Sequence, residues 1–298
     1  MKISLHWAIA ALLLAGSGIS LSQEPSEAST GPAIAPQYDT THVYVSPSNV
    51  GAFTMSFLGT FGGTSTKQVV ATVTPTSSST TIQLLQTPVG TVSLFGFTTP
   101  IPAHFGDERS GYLVTDMNSA IAAARQAGAD IVVAPFRDPI GLDAIIQWPG
   151  GVNMQLYWHF TPPSYQPFRH VPENRIYVSG DRADRFVSSF IAFSNGRVVS
   201  DVAEAPGIEI GRPDATYRRI RIESNFGKMQ VLVTDGHLPH PFGRENTGYE
   251  VDDLEATLAK AQSLGVSVLV PAFVSEGRKS VIVQFPGGYI AEIHSTAH

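Results

Sequence analysis

The sequence predicts an α+β protein made of four strand–helix–three-strand (βαβββ) modules, arranged as two similar pairs. Two observations carry this. Residues 111–157 and 248–294 are copies of each other at a constant offset of 137 residues, with 14 of 47 aligned positions identical and no gap. One copy runs from Gly111-Tyr112-Leu113-Val114-Thr115-Asp116 to Gln147-Trp148-Pro149-Gly150-Gly151, the other from Gly248-Tyr249-Glu250-Val251-Asp252-Asp253 to Gln284-Phe285-Pro286-Gly287-Gly288. Upstream, Pro102-x-x-Phe105-Gly106-x-Glu108 lies over Pro239-x-x-Phe242-Gly243-x-Glu245 at the same offset. The second observation is one order of periodicities, alternating, then helical, then alternating three times, that recurs along the chain. A repeat this long implies duplicated folding units.

The elements follow in order. Thr41-His42-Val43-Tyr44-Val45 alternates and reads as a strand, followed by a helix over 48–58 that Gly59 is expected to close. Lys67–Thr74, Thr81–Leu85 and Thr91–Phe97 are three further strands, the last two joined at Pro88-Val89-Gly90. Ser110–Thr115 opens the next module. Its helix spans Asn118–Ala127, with Ile121 and Ala124 on one face and Gly128 as its stop. Strands at Ile131–Phe136, Asp143–Gln147 and Val152–Trp158 complete it. The proline-rich stretch 161–173 reads as a linker between a first domain, 41–160, and a second, 174–298. The second domain repeats the pattern: a strand Arg175–Ser179, a helix Arg182–Phe193, three strands to Thr234, a strand Thr247–Val251, a helix Leu254–Leu264 and three strands to His294. Asp116 and Asp253 stand where an N-cap would accept hydrogen bonds from free helix N–H groups.

Composition narrows the class. Charged residues are 15% and hydrophobic ones 43%, which suits a packed globular protein. A net charge of −6 without clustered Lys and Arg argues against a nucleic-acid partner. Lys2 and the apolar run Trp7–Gly16 read as a secretory signal over 1–22, with cleavage expected before Gln23. Ten apolar residues are too few to span a bilayer. The expected product is periplasmic or secreted, with no membrane attachment after cleavage. Residues 23–40, rich in Ser, Pro, Ala and Glu, read as a flexible leader. There is no cysteine, so disulfides and thiol chemistry are excluded.

The segments Gly248–Leu254 and Phe285–Ile293, with their counterparts in the first half, resemble the vicinal oxygen chelate superfamily, which includes glyoxalase I, extradiol dioxygenases and bleomycin-resistance proteins. The likeness extends over nearly all of 41–296. It implies paired modules whose curved sheets each cup a metal or small ligand. It also implies metal ligands at three places per pair: the two first strands and the second module's last strand, commonly His, His and Glu. Here the matching residues are His42, Arg109 and Gln155 in the first half, and Arg175, Asn246 and Glu292 in the second. Ser93 and Gln230 match a fourth, glyoxalase-type position. Neither set is complete, because a guanidinium has no lone pair to donate.

Two functions stay open on this reading. One is an exported small-molecule binder without a complete metal triad, its ligand oxygen-rich or anionic, held by His42, Tyr44, Arg109, Gln155 and Tyr157. Arg109 is the expected anion anchor, since a guanidinium pairs bidentately with carboxylate, whereas Arg175 is expected to pair with Glu292. The other is a metal-dependent lyase, isomerase or ring-cleaving dioxygenase, with a divalent cation on His42 and Glu292 as the candidate ligands. Whether modules pair within the chain or across a homodimer is left open. His294 is expected to be solvated, His237-x-x-His240 to form a rigid loop, and the Pro-Gly-Gly segments to be strand-connecting turns. No Gly-x-Ser-x-Gly nucleophile motif is present.

Overall fold

The computed structural model describes residues 31–107 and 109–297. The expected signal, 1–22, and the first part of the expected leader lie outside the described residues.

Four βαβββ modules are present. The first comprises β1 (Thr40–Tyr44), α1 (Val50–Phe61), two short strands β2 (Thr64–Ser65) and β3 (Val69–Ala71), then β4 (Thr80–Thr87) and β5 (Gly90–Phe97). The second comprises β6 (Arg109–Leu113), α2 (Met117–Gln126), β7 (Asp130–Arg137), β8 (Gly141–Trp148) and β9 (Val152–His159). The third comprises β10 (Glu173–Ser179), α3 (Ala183–Ser194), β11 (Arg197–Pro206), β12 (Thr216–Ser224) and β13 (Gly227–Thr234). The fourth comprises β14 (Asn246–Glu250), α4 (Leu254–Ser263), β15 (Ser267–Ser275), β16 (Arg278–Gln284) and β17 (Ile290–Thr296).

Modules pair within the chain. The first sheet runs β2-β4-β5-β1-β6-β9-β8-β7, with β3 also on β4, and the second runs β11-β12-β13-β10-β14-β17-β16-β15. The repeat offset reappears in the register: Gly111 lies opposite Gln155, and Gly248 opposite Glu292.

Period-two alternation sends one face of every central strand to a core and the other to a concave cup. Val43, Met154 and Leu156 go to the core, as do Ile176, Ala291 and Ile293. The cores are shared crosswise between the halves. Phe53 and Phe57 of α1 pack with Tyr249, Leu254 and Phe285 of the fourth module. Trp148 and Ile121 of the second module pack with Phe186, Phe190 and Phe226 of the third. Each half therefore relies on the other to bury its helices.

The Pro-Gly-Gly turns fit this packing. Gly150 has φ 96° and Gly287 φ 92°. A Cβ on Gly150 would stand 2.8 Å from Val178, and one on Gly287 2.5 Å from Val45, each across the boundary between halves. Glycine is needed there both for the left-handed backbone and for the close approach.

Four expectations are corrected. Gly59 does not stop α1; the helix runs on to Phe61 and ends at Gly62, φ 79°. A Cβ on Gly59 would lie 2.4 Å from Leu264 Cδ1, so this glycine lets the end of α4 approach α1. The strand expected over 67–74 is shortened to β3, Val69–Ala71, and the separate pair β2 precedes it on β4; between them Thr66 N–H donates to Leu84 O at 2.9 Å while Thr66 Oγ1, a side chain, accepts from Leu84 N–H at 3.0 Å. The expected leader is packed from Gly31 onward: Ala33 is buried and bridges to Val114, and Thr115 N–H donates to Pro32 O at 2.9 Å. His294 is buried rather than solvated, for a reason given below. The two aspartate caps form as expected, Asp116 accepting from Ser119 N–H at 2.8 Å and Asp253 from Ala256 N–H at 2.9 Å.

Candidate functional site

The positions singled out by the resemblance converge at the middle of each sheet. His42 on β1 lies opposite Ser93 on β5 and Arg109 on β6. Its equivalent, Arg175 on β10, lies opposite Gln230 on β13 and Asn246 on β14. What surrounds these residues differs completely between the halves.

In the first half the cup holds a cavity of about 280 Å³. That is close to the lower end of ligand pockets, roughly 300 Å³ and upward. Val69, Ala71, Val73, Ile82 and Leu84 form one wall; Phe95, Phe105, Pro139 and Ile140 add further apolar surface. The polar part comes from Thr40, His42, Ser93, Asp143 and Gln155. Tyr44 and Tyr157 also line it, and Tyr44 stacks on Phe95 at 5.0 Å between centroids. His42, Tyr44, Gln155 and Tyr157 thus share one cavity. Gly111 makes room for the imidazole, since a Cβ there would stand 2.5 Å from His42 Nε2.

Burial, and then the charge of Arg109, depress the His42 pKa from 6.5 to about 3, with Gln155 acting weakly in the other direction. The ring is therefore neutral at physiological pH. Asp143 is 7% exposed, and burial together with Asp138 pushes its carboxyl well above the usual range; only Gln155 favours its charged form.

Arg109 is not part of the cavity wall, which corrects the expectation that it anchors a ligand from inside the first cup. Its Nε donates to Asp107 O at 3.3 Å, and its guanidinium carbon lies 5.9 Å from the Phe105 ring centroid. Both terminal nitrogens are buried, and the guanidinium acts on the Tyr44 hydroxyl and the Glu245 carboxyl. Arg109 lines instead a smaller cleft of about 170 Å³ between the halves, with Gly150, Gly151, Tyr177 and Glu245. Glu245 accepts from Ser110 N–H at 3.2 Å, and burial raises its pKa to about 7 against the opposing pull of that N–H and of Arg109.

In the second half charge occupies the cup. Arg175, 3% exposed, forms an ion pair with Glu292, 1% exposed. Glu292 also accepts from Ser280 Oγ at 2.7 Å and lies 3.6 Å from Arg278 Nε. Arg278 reaches Glu173 at 3.1 Å and bonds the His294 ring, which is why that histidine is buried. Burial favours the neutral form of Glu292, but Arg175 and Arg278 outweigh it and hold the carboxyl below its ordinary range. Nearer the rim, Arg219 pairs with Glu209 and Glu276, and Glu209 accepts from Ser275 Oγ at 2.7 Å. The Arg175–Glu292 pair anticipated from sequence is present.

Neither cup presents donors that fit a divalent cation. In the first, the metal positions hold one imidazole, one amide and a guanidinium whose charge already disfavours protonation of the imidazole. In the second, Glu292 is engaged by two guanidinium groups. Among the described residues no three His, Asp or Glu side chains are grouped to hold a metal ion.

Several cavity residues were missed from sequence, Asp143 and Tyr165 among them. Asp143 is a lone acid in an apolar strand, opposite Tyr157 and on the same face as Gln155. That parity was readable, but an isolated acid in a strand more often faces solvent. Tyr165 came from the expected linker, and nothing in that proline-rich stretch marked it.

No protein-family profile matches the chain. No curated protein matches it either. Solved structures do. A mutant of 4-hydroxymandelate synthase from Streptomyces coelicolor aligns with TM-score 0.58 at 14% identity, over 89% of this chain and 93% of that one. 2,2',3-Trihydroxybiphenyl 1,2-dioxygenase from Sphingomonas wittichii aligns with TM-score 0.52 at 14% identity, over 88% and 91%. A Mn(II)-bound glyoxalase from Novosphingobium aromaticivorans aligns with TM-score 0.50 at 11% identity, over 90% and 83%. Identities this low speak to fold alone.

Proposed function

We propose that this chain, which has the vicinal oxygen chelate fold, is an exported binder of a small organic molecule that sits in the cup of the first half. The observation that carries the reading is the asymmetry of the cups: about 280 Å³ of mostly apolar cavity in one, a network of buried ion pairs in the other. Apolar walls with a few convergent polar groups are the usual make-up of a ligand site. Export rests on the apolar run Trp7–Gly16 behind Lys2.

Ligand-observed NMR against a fragment collection tests the binding. Fragments should bind the wild type and be displaced by filling the cavity with Ala71→Phe. Equal binding to both proteins would count against the first cup as the site. N-terminal sequencing of the mature chain tests export, with Gln23 as the expected first residue.

A second reading, a metal-dependent enzyme, is favoured by the solved neighbours, which include a Mn(II)-bound glyoxalase and a dioxygenase. The side chains of this chain speak against it, because Arg109 and Arg175 stand at positions where the resemblance implies ligands. Elemental analysis of protein purified without a metal-affinity tag separates the two. A stoichiometric divalent metal, removable by chelator with loss of ligand binding, would favour the enzyme.

A further inference from the structure

We propose that the first cup selects a cation: an organic amine whose ammonium group lies against Asp143 and whose apolar body fills the rest of the cavity. This rests on the reading of the first cup as a ligand site and assigns the charge of its ligand.

The argument comes from counterions. In the second half, each carboxylate buried in the cup has a guanidinium beside it: Glu292 has Arg175, Glu173 has Arg278, and Glu209 has Arg219. Asp143 in the first half is as buried as Glu173, both being 7% exposed, yet it forms no ion pair among the described residues. It faces the cavity, and no Lys or Arg lines that cavity among the described residues. The one buried cation nearby among the described residues, Arg109, packs against Phe105 and Asp107 and acts on His42 and Tyr44. Repeat alignment places Ser280 at the equivalent position, so the carboxyl belongs to the open cup alone.

The rest of the lining agrees. A second aspartate, Asp138, stands at the wall, and His42 is neutral, so an anion would meet only like or uncharged groups. Tyr44, Phe95, Phe105, Tyr157 and Tyr165 supply aromatic rings, whose faces attract an ammonium group. A buried carboxyl without a counterion is relieved either by taking up a proton or by receiving a cation. A ligand ammonium supplies the second route and restores the charge that burial suppresses.

Three probes of one shape test the proposal by isothermal titration at neutral pH: phenethylamine, 2-phenylethanol and 3-phenylpropionate. The expected result is that phenethylamine binds wild-type protein at least tenfold tighter than 2-phenylethanol, with 3-phenylpropionate weakest. In Asp143→Ser, which copies the residue of the closed cup, and in Asp143→Asn, the amine should lose that advantage while the alcohol binds as before. The unchanged alcohol affinity shows that the cup still folds. Alcohol binding equal to amine, carboxylate binding tightest, or an amine preference that survives Asp143→Ser would overturn the charge assignment and leave the ligand site standing. Failure of all three probes to bind would overturn both.

Discussion

The two cups are built on the same strands in the same register, and they have opposite contents. The difference comes down to a few matched positions. His42, Gln155 and Asp143 in the first half stand where the second has Arg175, Glu292 and Ser280. Gly141 stands where the second has Arg278. Placing a guanidinium and a carboxylate face to face in a buried sheet centre closes the space, because each ion needs its partner to offset desolvation. Leaving an imidazole and an amide there keeps the space open, because neutral groups impose no such demand. One fold thus holds an open cup and one closed by ion pairs.

The largest effect that would test this contrast is on stability. Arg175→Ala strands Glu292 inside the sheet and should cost about 3–5 kcal/mol, the scale for breaking one side of a buried pair. Urea unfolding reads it directly. A loss under 1 kcal/mol would mean the second cup does not depend on its ion pair.

A transplant comes next. The double substitution His42→Arg with Gln155→Glu brings the second half's pair into the first cup. It should weaken fragment binding at least tenfold, about 1.4 kcal/mol, with the fold kept by circular dichroism. Undiminished binding would show that something other than this pair separates the cups.

The seam between the halves offers a pH test. Glu245 has its pKa raised from 4.5 to about 7, so the folded protein holds a proton that the unfolded chain releases earlier. The proton-linked stabilisation is full below about pH 4.5 and is lost as pH rises towards 7. Glu245→Gln keeps an acceptor for Ser110 N–H and removes this dependence. The variant should gain on the order of 1–3 kcal/mol over wild type between pH 5 and 8. Parallel stability curves across that range would remove Glu245 as the source.

The smallest expected effect is the most discriminating between the two arginines. Arg109→Met keeps the apolar stem and removes a buried guanidinium that makes no close ion pair among the described residues. Its stability should change by less than about 1 kcal/mol in either direction, since Glu245, the buried acid on which Arg109 acts, already has its pKa raised to about 7 and can take up a proton when the guanidinium is gone. A loss as large as that of Arg175→Ala would reveal a partner for Arg109.

Much of the architecture could be read from local pattern. The gapless repeat predicted four modules, alternation placed Val43, Leu156 and Ile293 on one face and His42, Gln155 and Glu292 on the other, and Asp116 and Asp253 capped their helices. These features depend on a residue and its near neighbours, through the two-residue strand period and the free N–H groups of a first helical turn. The Arg175–Glu292 pair was also within reach, because the resemblance implies that both stand at ligand positions of one sheet.

What depended on distant segments could not be read that way. Gly59 looked like a helix stop because its true neighbour, Leu264, arrives from another module. His294 looked solvated because Arg278 and Glu173, which enclose it, belong to other strands. Arg109 looked like a ligand anchor, yet the loop carrying Phe105 and Asp107 draws it behind the cavity wall. Asp143 looked unremarkable until the cavity lining showed no Lys or Arg beside it among the described residues. Periodicity specifies which face of an element a side chain occupies. Whether that face closes on a counterion or opens on a cavity depends on side-chain directions and on desolvation, and both are set by chain segments that meet only in the folded molecule.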